Sequence, residues 1–195
     1  MGTIKATNIE PIANNGTVTL GSSGDTFTVP SGVTVNMSSA TQTGVGGTMT
    51  PAFEARNTGG QSGVGDAVWT KMTLNSETYD TDNAFDSSTN YRFTPQTAGK
   101  YFFYTKTKMQ VSTYNDLRTG QIKFYKNGSA IEFTLSSFTP YGDSTGGTGL
   151  SPFASATIDM NGSSDYVESY FKIDGLDGTN ISSEYNLFGG YKIIT

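Results

Sequence analysis

Between Asn90 and Tyr104 the chain reads Asn-Tyr-Arg-Phe-Thr-Pro-Gln-Thr-Ala-Gly-Lys-Tyr-Phe-Phe-Tyr, and such a run admits few folds. Tyr91 and Phe93 alternate with polar neighbours, Pro95 ends that run, and Gly99 supplies a bend before an aromatic segment. The expectation is strand, corner, strand. Tyr101, Phe102, Phe103 and Tyr104 are consecutive, so along a strand they point to opposite faces and both faces need cover. Phe124-Tyr125 and Tyr170-Phe171 make the same demand. One side fills a sandwich; the other is expected to meet a subunit. Those eight aromatics are the candidate interface residues.

Nothing in the sequence favours helices. No 12-residue window carries apolar residues at helical spacing without Gly, Pro or a Thr/Ser run. Strands are expected at Phe53–Arg56, Val68–Leu74, Tyr91–Phe93, Lys100–Val111, Gly120–Lys126, Ala130–Ser136, Ala154–Met160, Tyr166–Ile173 and Tyr185–Thr195. Asn127-Gly128 between Tyr125 and Ile131 is a two-residue hairpin signal, because both positions tolerate positive φ. Short strands at this spacing predict a sandwich of jelly-roll type.

Texture divides the chain. Residues 1–50 hold one aromatic, Phe27, and three alternating pieces: Thr17–Leu20, Thr26–Val29 and Val33–Met37. Val18, Leu20, Phe27, Val29 and Val35 form an apolar face that one chain cannot cover, which predicts a short β-rich docking arm or stalk. A glycine-rich joint follows over 42–50. Residues 51–195 carry all the other aromatics and form the second domain.

Exclusions follow from the same residues. The chain has no Cys and no His, which removes thiol nucleophiles, His triads, the usual zinc sites and disulfides. Net charge is −5 without any Lys/Arg run, so nucleic acid is not an expected partner. No 18-residue apolar stretch supports membrane insertion, and Ala6 breaks the myristoylation pattern that Met1-Gly2 begins. Asp80, Asp82 and Asp86 with Asn83 offer oxygen ligands for Ca²⁺, but a solvated turn bonding its own backbone fits them better. Trp69 offers a face for a sugar, though beside Val68 and Met72 a core position is expected. The pairs Asp165/Glu168 and Asp174/Asp177 lack a surrounding motif, so no catalytic residue, metal or cofactor is assigned and an enzyme is not expected. Asn-x-Ser/Thr triplets at Asn15, Asn36, Asn127, Asn161 and Asn180 are expected by chance in so Ser/Thr-rich a chain.

Several segments, in order, resemble the C1q and tumour-necrosis-factor-like jelly rolls. Pro51-Ala52-Phe53-Glu54-Ala55-Arg56 resembles their opening strand. Trp69–Leu74, with Tyr79-Asp80 and Ala84-Phe85-Asp86, resembles the next segment, and Phe93 to Phe103 resembles the "F-T-x-P-x-x-G-x-Y-x-F" signature. Ile122–Gly128 resembles the "V-x-L-x-K-N-G" hairpin, Ser155–Met160 with Asp165-Tyr166-Val167 the "L-x-x-G-D-x-V" piece, and Leu187–Tyr191 the closing "F-S-G-F". Ser164 replaces a family glycine, 141–149 is a longer excursion, and no collagen stem is present. The resemblance implies an all-β, trimeric sandwich and a role in display or binding.

The opening Thr3-Ile4-Lys5-Ala6-Thr7-Asn8-Ile9 with Thr17–Leu20 resembles attachment segments of tailed, particularly marine, phage surface proteins. That implies a homotrimeric virion-surface protein of capsid-decoration or head-fibre type, with capsid or tail proteins as partners. The alternatives are a tail-fibre or receptor tip, with a host-surface glycan as partner, and a free bacterial C1q-like lectin. Recognition loops would then be 57–65, 112–119 and 138–152.

Overall fold

In the computed structural model, residues 9, 17–35, 49–112, 116–139, 149–176 and 181–193 are described. The chain divides into two compact units, Met1–Val45 and Gly46–Thr195. In the first, turns close at Ser22–Asp25 and Pro30–Val33, and no strand forms over 17–35. The alternating pieces Thr17–Leu20 and Thr26–Val29 and the described part (33–35) of Val33–Met37, read from sequence as a β-rich arm, thus form no ladder among the described residues. Alternation makes a strand only where a partner backbone accepts the ladder. The attachment-like residues 3–8, the joint over 42–48 and the middles of the 112–119 and 138–152 loops lie outside the described residues.

The second unit holds β1 (Ala52–Arg56), β2 (Gln61–Ser62), β3 (Thr70–Lys71), β4 (Ser76–Asp80), β5 (Phe85–Asp86), β6 (Arg92–Phe93) and β7 (Gly99–Gln110). It continues with β8 (Leu117–Lys126), β9 (Ser129–Ala130), a 3₁₀ turn at Glu132–Thr134, β10 (Ser136–Phe138), β11 (Gly149–Leu150), β12 (Phe153–Met160), β13 (Val167–Gly175) and β14 (Ser182–Lys192). Every strand pairing among the described residues is antiparallel. One sheet runs β11-β7-β14-β1-β4, with β12 also on β7 and β2 on β14. The other runs β10-β8-β13-β6-β5, with β3 on β13 and β9 on β8. The first and last long strands pair centrally, Phe53 opposite Gly190, so chain closure is built into the middle of a sheet.

The core explains the aromatic signature. Phe53 stacks on Phe93 at 4.3 Å and on Phe85 at 4.9 Å between ring centroids, joining the two sheets. Phe93 meets Tyr101 and Phe103 edge-on at 5.7 and 5.8 Å. The Tyr101 hydroxyl donates to the Thr97 carbonyl at 2.7 Å, fastening the corner that Pro95 and Gly99 open. Each fully buried Phe contributes about 1.5–3 kcal/mol of transfer free energy. Asn127 and Gly128 take φ of +52 and +77 between β8 and β9, as their hairpin requires.

Two expected strands differ. Only Thr70–Lys71 of Val68–Leu74 pairs, and Ala130–Ser136 is interrupted by the 3₁₀ turn, where Thr134 Oγ1 takes the Phe124 amide at 3.0 Å in place of a ladder bond. Strand β4 carries Ser-Glu-Thr-Tyr-Asp with no apolar alternation to announce it.

Candidate binding surfaces

Alternation along β7 sorts the aromatics. Tyr101, Phe103, Thr105, Thr107 and Met109 point inward and are buried, whereas Phe102, Tyr104, Lys106, Lys108 and Gln110 face out. Phe124 and Phe171 are likewise 0% exposed. Tyr101, Phe103, Phe124 and Phe171 are thus core residues and leave the candidate interface set. Phe102 and Tyr104 remain on the first sheet's outer face, and Tyr125 and Tyr170 on that of the second.

Cross-strand register arranges the first outer face in rows. Ala52, Tyr191, Phe102 and Thr157 stand side by side on β1, β14, β7 and β12. The Phe102 and Tyr191 rings lie 5.6 Å apart. In the next row come Glu54, Gly189, Tyr104 and Ser155. Gly189 is the key to that row: without a side chain on β14, the Tyr104 ring crosses it and its hydroxyl donates to Glu54 Oε2 at 2.9 Å. Burial, reinforced by bonds to Tyr79 and Glu54, holds the Tyr104 phenol well above the ordinary tyrosine pKa. This is a flat aromatic surface with a fixed polar centre.

A second apolar patch lies along one side of the sandwich. Phe133 (79% exposed) lies within the 3₁₀ turn, Leu135 follows it, and Phe138 comes next on the edge strand β10. Large apolar side chains clustered on an edge are what monomers avoid.

The second sheet's outer face is closed by its own contacts. Lys123 Nζ sits 4.3 Å from the Trp69 centroid and 5.4 Å from that of Tyr125, Lys172 Nζ sits 5.4 Å from Trp69, and Tyr125 packs on Tyr170 at 4.0 Å. Lys123 pairs with Glu132 at 2.8 Å and Lys71 with Glu168 at 2.9 Å. Trp69 is therefore a half-buried surface residue and not core, and cations already cover its ring. Burial, then the Glu168 charge, pushes the Tyr170 phenol up to about 12.

Of the acidic residues weighed for metal or catalysis, Asp80, Asp86, Asp165 and Glu168 are held by partners of their own. Asp80 accepts from the Phe85 amide at 2.7 Å, and Asp86 from the amides of Ser88, Thr89 and Asn90 at 3.0, 2.9 and 3.1 Å. Those donors hold the Asp86 carboxyl far below the usual range. Asp165 accepts from Asn127 Nδ2 at 2.8 Å and the Asn161 amide at 2.9 Å, and pairs with Lys126 at 2.8 Å. Asn127 and Asn161 are thereby internal staples. Asp177 and the triplets at Asn15, Asn36 and Asn180 lie outside the described residues.

Sequence reasoning missed Tyr191, the Phe133–Phe138 edge and the Arg56/Lys106 pair. Only register could align these residues, though the Phe-x-Tyr-x-Lys-x-Lys alternation in β7 was a usable signal.

No protein-family model and no curated protein matches this chain. Solved structures do. The chain is similar to murine APRIL at TM-score 0.51 and 9% identity, over 73% of this chain and 98% of that one. It is also similar to the globular domain of the zebrafish complement 1qA protein (TM-score 0.47, 19% identity, 73% and 96% coverage) and to Eiger TNF from S. frugiperda (0.46, 12%, 73% and 91%). The fold is an all-β jelly roll of the C1q/TNF kind, and the APRIL likeness carries that statement.

Proposed function

We propose that this chain is a non-enzymatic, homotrimeric display protein of a virion surface, of capsid-decoration or head-fibre type. The observation that carries the trimer is the pair of unlike apolar surfaces on one protomer. Phe102, Tyr104 and Tyr191 make a flat face, and Phe133, Leu135 and Phe138 make a protruding edge. Seating the edge of one copy on the face of the next is a head-to-tail contact, and a closed ring satisfies every copy. Three copies are what the C1q/TNF resemblance implies. Attachment falls to the arm, where Val18, Leu20, Phe27, Val29 and Val35 are 42, 62, 72, 38 and 51% exposed. Particle proteins or sister arms would cover them. The virion setting rests on the resemblance of the opening residues to phage attachment segments.

Sedimentation of Phe102→Ala and Phe103→Ala at micromolar concentration tests the trimer. Phe102→Ala should fold and weaken assembly by about 2 kcal/mol or more, while Phe103→Ala should cost about 3–5 kcal/mol of folding stability. A wild-type monomer would overturn the reading. Removing residues 1–45 should leave a soluble trimer that no longer joins particles; normal incorporation would move attachment to the jelly roll. Particles lacking the protein should still adsorb to hosts but tolerate heat poorly, whereas lost adsorption would favour a fibre tip.

A further inference from the structure

Beyond the aromatic rows, about 13 Å along β7 from Phe102, the same face turns cationic. Arg56, Leu187, Lys106 and Phe153 stand opposite one another on β1, β14, β7 and β12. Neither Arg56 nor Lys106 has an ion-pair partner among the described residues, a state they share with Arg92, Arg118, Lys172 and Lys192, whereas Lys71, Lys100, Lys108, Lys123 and Lys126 each have one. In a chain of net charge −5, two uncompensated cations on either side of Leu187 in one cross-strand row are an arrangement that solubility does not require.

They flank a cleft of about 400 Å³ whose wall includes Thr58, Tyr185 and Leu187. A bulge shapes it: the β14 register slips between Glu184 and Leu187, and Tyr185 takes φ +51, a region that bulky residues avoid. Tyr185 is 70% exposed, with Lys108 Nζ 5.7 Å from its ring centroid. An unfavourable backbone conformation that holds an aromatic ring out beside two free cations points to a ligand.

We propose that this cleft binds an anionic saccharide, its carboxylate or sulfate between Arg56 and Lys106 and its ring against Tyr185. Arginine's planar fork matches an oxyanion in two-point contact, and lysine adds a point charge. The Leu187 side chain and the Tyr185 ring offer apolar surface to sugar C–H groups, while the Tyr185 hydroxyl adds a polar end. The volume lies within the range of small-ligand pockets. Two cations make no track for a nucleic-acid backbone, which needs a longer row. The site does not rest on the virion setting.

The test is calorimetric titration of the full chain with a sulfated uronate disaccharide, its uncharged counterpart and inorganic sulfate. The charged disaccharide should saturate one site per chain and weaken with added salt, with both other probes at least about tenfold weaker. Arg56→Gln and Lys106→Gln should each reduce its affinity roughly tenfold without moving the melting temperature. Tyr185→Gly should raise the melting temperature, by releasing the left-handed backbone, while weakening the disaccharide. Absence of saturation at millimolar disaccharide, undiminished affinity in the Arg56→Gln/Lys106→Gln double variant, or sulfate binding as tight as the disaccharide would each overturn the proposal.

Discussion

Thr105 on β7 and Ser169 on β13 meet hydroxyl to hydroxyl at 2.7 Å, bridging the two sheets inside an otherwise apolar core. Thr105 Oγ1 also lies 2.9 Å from the Leu187 carbonyl, so both groups share one hydroxyl between sheets. Nearby, Asn186 Nδ2 donates to Ser183 Oγ at 2.9 Å, and the Asn186 side-chain oxygen accepts from Thr107. The sandwich thus has an aromatic half around Phe53 and a hydrogen-bonded half around Thr105. The polar half fixes sheet alignment, since buried hydroxyls tolerate no slip that leaves them unpaired.

Thr105→Val keeps the shape and removes the bridge. It should cost about 1–3 kcal/mol, read by chemical denaturation at fixed protein concentration, because Ser169 stays buried without its partner. Adding Ser169→Ala should restore part of the loss. An unchanged unfolding midpoint for Thr105→Val would show that the bridge does not contribute.

Gly189 and Gly190 make a second pair of opposed expectations. A Cβ on Gly189 would overlap the Tyr104 ring, so Gly189→Ala should free Tyr104 from Glu54 and disturb the outer face while the core survives. A Cβ on Gly190 would meet the Phe103 ring at 2.5 Å and the Phe102 carbonyl at 2.9 Å. Gly190→Ala should therefore destabilise folding itself, by about 1–3 kcal/mol. Thermal melting and sedimentation of the two variants distinguish the effects.

Stability should fall at both ends of the pH scale. Burial pushes Tyr101 up to about 12, with the Asp82 charge adding to it. A raised phenol contributes stability that is complete below its unfolded value near 10 and is lost as pH climbs from about 10 toward 12. Phenolate absorbance should show an early class of tyrosines and a late class that titrates with unfolding. Asp165 is held below its ordinary pKa, first by Asn127 and then by Lys126. Its contribution is present above about 4 and drains away as pH drops below that value. Asp165→Asn should flatten the acid limb of the stability curve; an identical limb would assign acid unfolding to other carboxylates.

What the sequence determined by itself was local and periodic. The corner from Asn90 to Tyr104, the Asn127-Gly128 turn and the long strands ending in Gln110 and Lys192 are written in residue types with direct backbone meaning: a proline that cannot donate, a glycine that bends, aromatics at period two. Strand β4 and the 3₁₀ turn at Glu132–Thr134 carry no such signature, because a neighbouring strand creates the first and the Thr134 hydroxyl the second. The arm's described residues 17–35 show the converse, with good alternation and no strand. Which member of Phe102-Phe103 enters the core was undecidable from sequence, since period two marks opposite faces without saying which is inside. Only packing against the second sheet decided that, sending Phe103 inward and leaving Phe102 beside Tyr191. Arg56 and Lys106 are 50 positions apart in the chain and become neighbours only through β14 between them. Register is a property of three strands at once, and no single segment contains it.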